Sequence, residues 1–433
     1  MGVFRNMFSA LYHRDFRNFW FGQVVSTTGS MIQVTVLSWY IYQISGSPFL
    51  LGLMGVFEFG PVLVLILFVG VLIERFPKRN ILIFTQALLL VQSLLLALLV
   101  WTGSTNYWLF AMLALIGGIS MSIDQPTRQS YFVELVGEKD LPNAISLNST
   151  TFNLARIIGP IIAGIVMKYV GAAQCFLLNG LSFIPVLYTI SLIKINKKPN
   201  PDIFERQIFH GIKKGFQYAV KNRNIFPTFL IMLMVCTFAM NYGVILPVLA
   251  KDVLSGDEST YSLLMSIFGM GSLCGALFMG SRGQHISNKN FLVMVALCMA
   301  ALQITAFFTT TTLSSQWSLV VVSILLACIG FLIFCFLNRA NTRIQLNTSD
   351  DYRSRIMSIY ILITTGTAPL GHTFSGFIMK QFGGAHAFLF NGSITLVMVG
   401  VLYLVYHNYL VKARVVPVSE KDRQDIANIL NRE

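Results

Sequence analysis

The sequence predicts an all-α membrane protein: twelve transmembrane helices set as two parallel six-helix bundles. Three observations carry this expectation. The chain is 55% hydrophobic and only 11% charged, a balance that soluble domains do not use. Twelve apolar runs are long enough to cross a bilayer, which takes about 20 helical residues each. Two stretches lying six runs apart also repeat one another in register.

In order, the runs lie at roughly 15–43, 48–73, 80–101, 106–128, 143–169, 173–194, 225–249, 259–280, 291–311, 317–338, 355–379 and 385–410. The first does not read as a cleavable leader. It is long and polar-flecked, carries Trp39 and Tyr40 near its far end, and lacks a small-residue cleavage site. The longest break, 196–224, divides six runs from six. Within it Phe209, Ile212, Phe216 and Val220 recur at helical spacing opposite Lys213, Lys214 and Lys221. That pattern predicts a short amphipathic helix on the anionic inner leaflet. The expected organisation is a first bundle over 1–195, a cytoplasmic linker over 196–224, a second bundle over 225–411 and a cytoplasmic tail over 412–433.

Charge sets the orientation. With the N-terminus in the cytoplasm, only Lys168, Lys251 and Lys380 of the 31 Lys and Arg fall outside, and Arg156 falls within a run. This positive-inside bias predicts a multi-pass protein with both termini in the cytoplasm. The net charge of +13 therefore reports topology and not a nucleic-acid partner. The six cysteines lie in apolar runs with no CxxC pair, so they read as small packing residues rather than disulfides or metal ligands. No GxxxxGK[ST], HExxH or GxSxG segment occurs. A chain-borne ATPase or hydrolase is not expected, nor a cofactor or metal.

The internal repeat pairs "IIAGIVMKYVGAAQCFLLNG" (161–180) with "TFSGFIMKQFGGAHAFLFNG" (373–392). Gly164/Gly376, Lys168/Lys380, Gly171/Gly383, Asn179/Asn391 and Gly180/Gly392 coincide, and shared apolar composition would not place such pairs in register. Six helices separate the copies, so both run the same way across the bilayer. That is the arrangement of the two major facilitator halves.

Three motifs strengthen the resemblance. "GVLIERFPKR" (70–79) resembles the major facilitator loop between spans 2 and 3, although its acid is Glu74 where Asp is usual and Pro77 stands where Gly is common. The resemblance implies a cytoplasmic gate made by Gly70, Glu74, Arg75, Lys78 and Arg79; the alternative is a merely topogenic basic loop. "ARIIGPIIAG" (155–164) resembles the antiporter signature of span 5, which is associated with exporters. Pro160 removes a backbone donor and bends the helix. Gly159 and Gly164 leave a smooth face for span 8, whose Gly269, Gly271, Ser272, Gly275 and Ala276 are small in turn. "DFRNFWFGQ" (15–23), "DQPTRQ" (124–129) and "DLPNAISLNSTTFNLARIIGP" (140–160) together resemble the drug:proton antiporter branch that includes macrolide efflux pumps and enterobactin-type siderophore exporters. The resemblance implies a monomeric exporter working by alternating access, with protons and a small amphipathic molecule as its partners besides the bilayer. A lysophospholipid or lipid-precursor flippase of the same fold is the alternative.

Charges inside the runs nominate coupling residues. Arg156 lies 14 residues beyond Pro142, roughly 20 Å deeper, and Glu58 lies about ten residues into the second run, at a similar depth. A charge at the bilayer centre costs about 2.5–3.5 kcal/mol on insertion scales, so the two are candidates to share a cavity. Glu58 is then the protonatable group and Arg156 its regulator, or the two form a permanent structural pair. Asp124 and Arg128, one turn apart, suit either a surface pair or a functional one. Gln23, Ser26, Thr27, Ser30 and Gln33 form a polar stripe on the first run. It is expected to line the substrate cavity, with helix–helix hydrogen bonding as the alternative. Asn241, Tyr242 and His372 are the polar intruders of the second half: the first two are candidates to line the substrate cavity, and His372 is either a titrating coupling candidate or a packing histidine.

Overall fold

The computed structural model describes residues 9–193, 215–222, 224–283 and 290–412. Helix α1 runs Arg14–Ser45 and ends at Gly46 in the left-handed region (φ 56). Helix α2, Pro48–Arg75, starts with Pro48 in its first turn and the Ser47 side chain capping Leu50 N, two signals that suit a helix start. Helix α3 follows as Lys78–Trp101.

The fourth and fifth spans form one helical stretch, Tyr107–Tyr169, interrupted only at Gly137 (φ 72, ψ 174). They are called α4 (107–136) and α5 (138–169). The sequence placed a longer break here, with Pro142 starting span 5. Instead the single glycine turns the chain, and Pro142 falls just past the first turn of α5, where it removes one backbone donor. Helix α6 is Ala172–Leu192.

In the second half α7 spans Phe226–Val253. It is built from Phe226–Phe238, Tyr242–Val248 and a π turn over Leu249–Val253. At its break Asn241 Nδ2 donates to the Thr237 carbonyl at 2.8 Å, satisfying an acceptor that the interrupted helix frees. Helices α8 (Glu258–Arg282), α9 (Phe291–Thr312) and α10 (Ser315–Leu346) are continuous. Helix α11 consists of Asp350–Gly366 and Ala368–Phe382, the second piece opening with Pro369. Helix α12 is His386–Lys412.

Among the described residues nine helical stretches are long and apolar enough to cross a membrane, one of them holding both α4 and α5. The two spans outside that set have visible causes. Helix α1 carries its polar stripe through the middle of the span, and α11 is broken near its middle.

Two compact units emerge: Met1–Ile203 with Gly256–Gly269, and Phe204–Ser255 with Met270–Glu433. The first part of α8 thus belongs to the first unit. Glycines set the close packing within each unit. A Cβ on Gly22 of α1 would lie 2.9 Å from the Val186 Cα of α6, and one on Gly180 of α6 would lie 2.9 Å from Leu94 of α3. Gly392 of α12, the repeat mate of Gly180, meets the Ala300 carbonyl of α9 at the same 2.9 Å. The repeat therefore conserves a packing role: sixth helix on third, twelfth on ninth. A polar clasp recurs as well. Gln33 of α1 donates to Gln92 of α3 at 3.2 Å, and Gln303 of α9 donates to the Tyr242 hydroxyl of α7 at 2.7 Å.

The paired Gly171 (φ 118, ψ 167) and Gly383 (φ 102, ψ 160) make the sharp turns into α6 and α12. This region of backbone space is essentially restricted to glycine and costs other residues about 1–3 kcal/mol. Gly171→Ala and Gly383→Ala are each expected to lower the melting temperature in detergent by a similar amount, as the repeat requires; no shift in either would contradict it.

Cys175, Cys236 and Cys335 are buried as packing residues, whereas Cys274, Cys298 and Cys328 are exposed, and all six are free thiols. The expectation of burial thus holds for three of them. Of the linker helix, residues 215–221 are helical, with Phe216 and Val220 exposed and Tyr218 buried against Tyr352, ring on ring at 4.4 Å. Phe209, Ile212, Lys213 and Lys214 lie outside the described residues.

Candidate transport site

Helix α5 presents two opposed faces. Leu154, Ile158, Ile161 and Ile165 form an exposed apolar stripe of the kind that meets lipid. At 3.6 residues per turn, Arg156 lies about 200° round the helix from Leu154, opposite that stripe. Its side chain is nonetheless exposed, while Pro160, Ala163 and Met167 further along the same face are buried. A guanidinium exposed on the inner face of a span meets water and not hydrocarbon.

Glu58 is placed alike on α2. The exposed stripe there includes Val56, Leu63 and Val64, and Glu58 is about 200° from Val56. It is half-buried. Its backbone carbonyl presses on Gly118 of α4, where any side chain would collide. Its electrostatic neighbour is Tyr261 of α8, whose ring stacks on Trp39 of α1 at 5.6 Å and 13°.

Among the described residues no ion pair within 4 Å joins Glu58 to Arg156. Helix α8 shows their offset. Tyr261 lies within electrostatic reach of Glu58, whereas the Arg156 backbone packs on Gly269, about two turns further along.

The remaining stripe on α1 turns out differently from its expected role. Gln23, Ser26 and Thr27 are buried at 2–5% exposure, so they sit between helices rather than on an open cavity wall. Gln33 is engaged by α3 and α6, accepting from Asn179 Nδ2 at 2.9 Å and from the Ser93 hydroxyl. Ser30 is half-buried and donates to the Ser26 carbonyl.

Asp124 and Arg128 form a buried ion pair, which overturns the surface reading. Asp124 Oδ1 also accepts from Thr85 Oγ1 at 2.9 Å and Gln86 Nε2 at 2.7 Å, both on α3. An i,i+4 spacing looks the same on an outer or an inner face, so sequence could not tell these apart.

In the basic loop, Lys78 pairs with Glu134 at 2.9 Å. Arg79 donates to the Ile190 and Ser191 carbonyls at 3.0 and 2.6 Å, neutralising the end of α6, where carbonyls lack intrahelical partners. Arg75 is exposed, and the Glu74 side chain and the surroundings of Gly70 lie outside what the structure describes. Glu134 was missed by sequence reasoning. The available signal was an acid near the end of the fourth run, on the same side of the bilayer as the basic loop.

The Gly-Pro signature divides between two neighbours. Gly164 does face α8, where a Cβ would lie 2.6 Å from that of Ser262, and Gly269 returns the contact on α5. Gly159 instead faces α1, packed on Met31, because residues 159 and 164 point about 140° apart. Gly271 and Gly275 pack on Ala327 and Phe331 of α10, not on α5. Gly164→Val is expected to force α8 off α5 and to abolish transport without preventing membrane insertion. Transport assays on protein quantified in the membrane would check this, and wild-type rates would contradict it.

In the second unit Asn241 is buried at the α7 break, with Gly371 of α11 packed onto it. Tyr242 is buried, and His372, beside Gly371, is half-buried.

Twelve helices in two halves with repeated packing define a transporter of the major facilitator fold. A solved POT family transporter in complex with a thioalcohol-conjugated peptide superposes with a TM-score of 0.73 at 14% identity, covering 92% of this chain and 97% of that one. The chain belongs to the transmembrane secretion effector family, whose model matches residues 5–433. It is 24% identical over 382 residues to the staphyloferrin A transporter of Staphylococcus aureus, covering 87% of this chain and 92% of that protein. It is 19% identical over 380 residues to macrolide efflux protein A of Streptococcus pyogenes, covering 88% and 93%. The protein is a multi-pass membrane transporter.

Proposed function

We propose that this transporter is a proton-coupled exporter. It moves a small amphipathic organic compound of the siderophore or drug class out of the cytoplasm by alternating access, from an inner membrane in which both termini are cytoplasmic. The observation that carries the reading is Arg156: a cation exposed on the inner face of α5, with no ion pair among the described residues. Such a group favours an acidic substrate, because an anion arriving there supplies the counter-charge that the span lacks. Export rests on the family and on relatives named for siderophore transport and macrolide efflux.

Glu58 is the coupling carboxylate. It lies on the inner face of α2, where it can lose a proton to one side and regain it from the other as access alternates. The test is uptake by inside-out vesicles of acidic and basic amphipathic compounds under an imposed proton gradient. Gradient-driven accumulation of acidic compounds, lost in Arg156→Gln, is the expected result. Gradient-independent movement of lysophospholipids in place of any such accumulation would overturn the reading in favour of a flippase.

A further inference from the structure

Besides Trp20 Nε1, five buried side-chain polar atoms on α1–α6 have no hydrogen-bond partner among the described residues: both amide atoms of Gln23, Gln86 Oε1, Arg128 Nε and the Tyr131 hydroxyl. Buried polar groups are satisfied in roughly nine cases in ten or more, and leaving one unsatisfied is destabilising. Scattered, these five would be unrelated defects. They are instead collected between three helices.

Phe16, Phe19 and Gln23 are spaced by three and four residues, so they share one face of α1. Asp124, Arg128 and Tyr131 share one face of α4 by the same spacing. The two faces meet, because Phe16 and Phe19 pack edge-on against Phe132 and Tyr131 at 5.7 and 6.1 Å. The helices are antiparallel. One turn beyond Phe19 on α1 therefore brings Gln23 level with the residues one turn before Tyr131 on α4, Thr127 and Arg128. Gln86 of α3 joins them through its 2.7 Å bond to Asp124. At the other end, Asp15, Arg79 and Glu134 lie within electrostatic reach of Tyr131, so the row begins at a charged, hydrated helix end.

We infer that a chain of internal water molecules runs between α1, α3 and α4, bound by Gln23, Gln86, Arg128 and Tyr131 and ending at the Asp124–Arg128 pair. Internal waters each typically make about three hydrogen bonds to buried groups, and a file of them satisfies each of these five orphaned atoms. The chain explains how a charged pair is held deep in the bundle: bulk solvent is replaced by bound solvent. It also assigns Gln23 a role that neither simple packing nor a substrate cavity gives it.

X-ray radiolytic footprinting with mass spectrometry tests this on the purified full-length protein, because bound water generates hydroxyl radical beside the residue that holds it. Tyr131 is fully buried, yet it is expected to oxidise at a rate of the same order as Tyr12, which is 67% exposed. Tyr218 is equally buried, but its hydroxyl accepts from Ser349 N at 3.2 Å, and it is expected to stay slow. Gln23→Leu should slow Tyr131 severalfold and lower the melting temperature, by unbinding the waters that solvate Arg128. Wild-type Tyr131 labelling as slow as Tyr218 would overturn the inference without any variant. A Gln23→Leu protein that melts higher with unchanged labelling would do the same, since removing an orphaned amide from a dry site is stabilising.

Discussion

Glu58→Gln is expected to abolish proton-driven accumulation of substrate while leaving exchange of substrate across an ungraded membrane intact. The substitution keeps the shape of the side chain and its capacity for hydrogen bonds. It removes only the ability to gain and lose a proton. Because Glu58 sits half-buried on the inner face of α2, with its backbone locked against Gly118 and Tyr261 within electrostatic reach, the variant should fold and bind as before. Counterflow measures binding and alternation without a gradient, and gradient-driven uptake measures coupling. Loss of the second with survival of the first is the expected pair of results. Normal accumulation with normal proton stoichiometry would place the coupling site elsewhere, with Asp124 the next carboxylate to test.

Asp124→Ala is expected to be the most destabilising substitution in the first bundle. Asp124 is fully buried and Arg128 is 5% exposed, so removing the carboxylate leaves a guanidinium charged and unpaired. Thr85 and Gln86 lose their acceptor at the same time. Breaking a buried pair in this way costs about 3–5 kcal/mol. Replacing both charged partners, as in Asp124→Ala with Arg128→Met, removes the stranded charge and should recover a large part of that loss. Melting temperatures of the two single variants and the double variant would check this. Additive losses would show that the pair contributes nothing as a pair.

The twelve spans were legible because length and apolarity suffice to place helix ends in a bilayer, and most boundaries fall within a few residues of the expected ones. The turns at Gly171 and Gly383 were legible as well, since an in-register glycine repeat has few causes besides a conformation that other residues avoid. The larger departures are the end of α10, which runs to Leu346 and not 338, and the continuous α4–α5 stretch, which arose because a lone glycine gives a weaker stop signal than the nearby Pro142. Side-chain facing was the hard part. Gln23 and Gln33 lie on one polar stripe, yet the first shares a face with Phe16 and Phe19, which meet α4, and the second is tied to α3 and α6. Gly159 and Gly164 belong to one signature but serve different neighbours. Periodicity gives the relative angle between residues and not the identity of the helix they meet. That no ion pair joins Glu58 to Arg156 among the described residues has a related cause: depth counted along two helices does not fix their lateral distance.

The central claim is that substrate and protons compete for one transport cycle. The most direct measurement is proton release from purified protein in weakly buffered detergent on addition of substrate, with siderophores, macrolides and lysophospholipids tried in turn. Proton-coupled export predicts release with an acidic siderophore- or drug-class compound, and no release from Glu58→Gln with the same compound. Demonstrable binding of a compound from any of these classes, with no proton released by any, would contradict it.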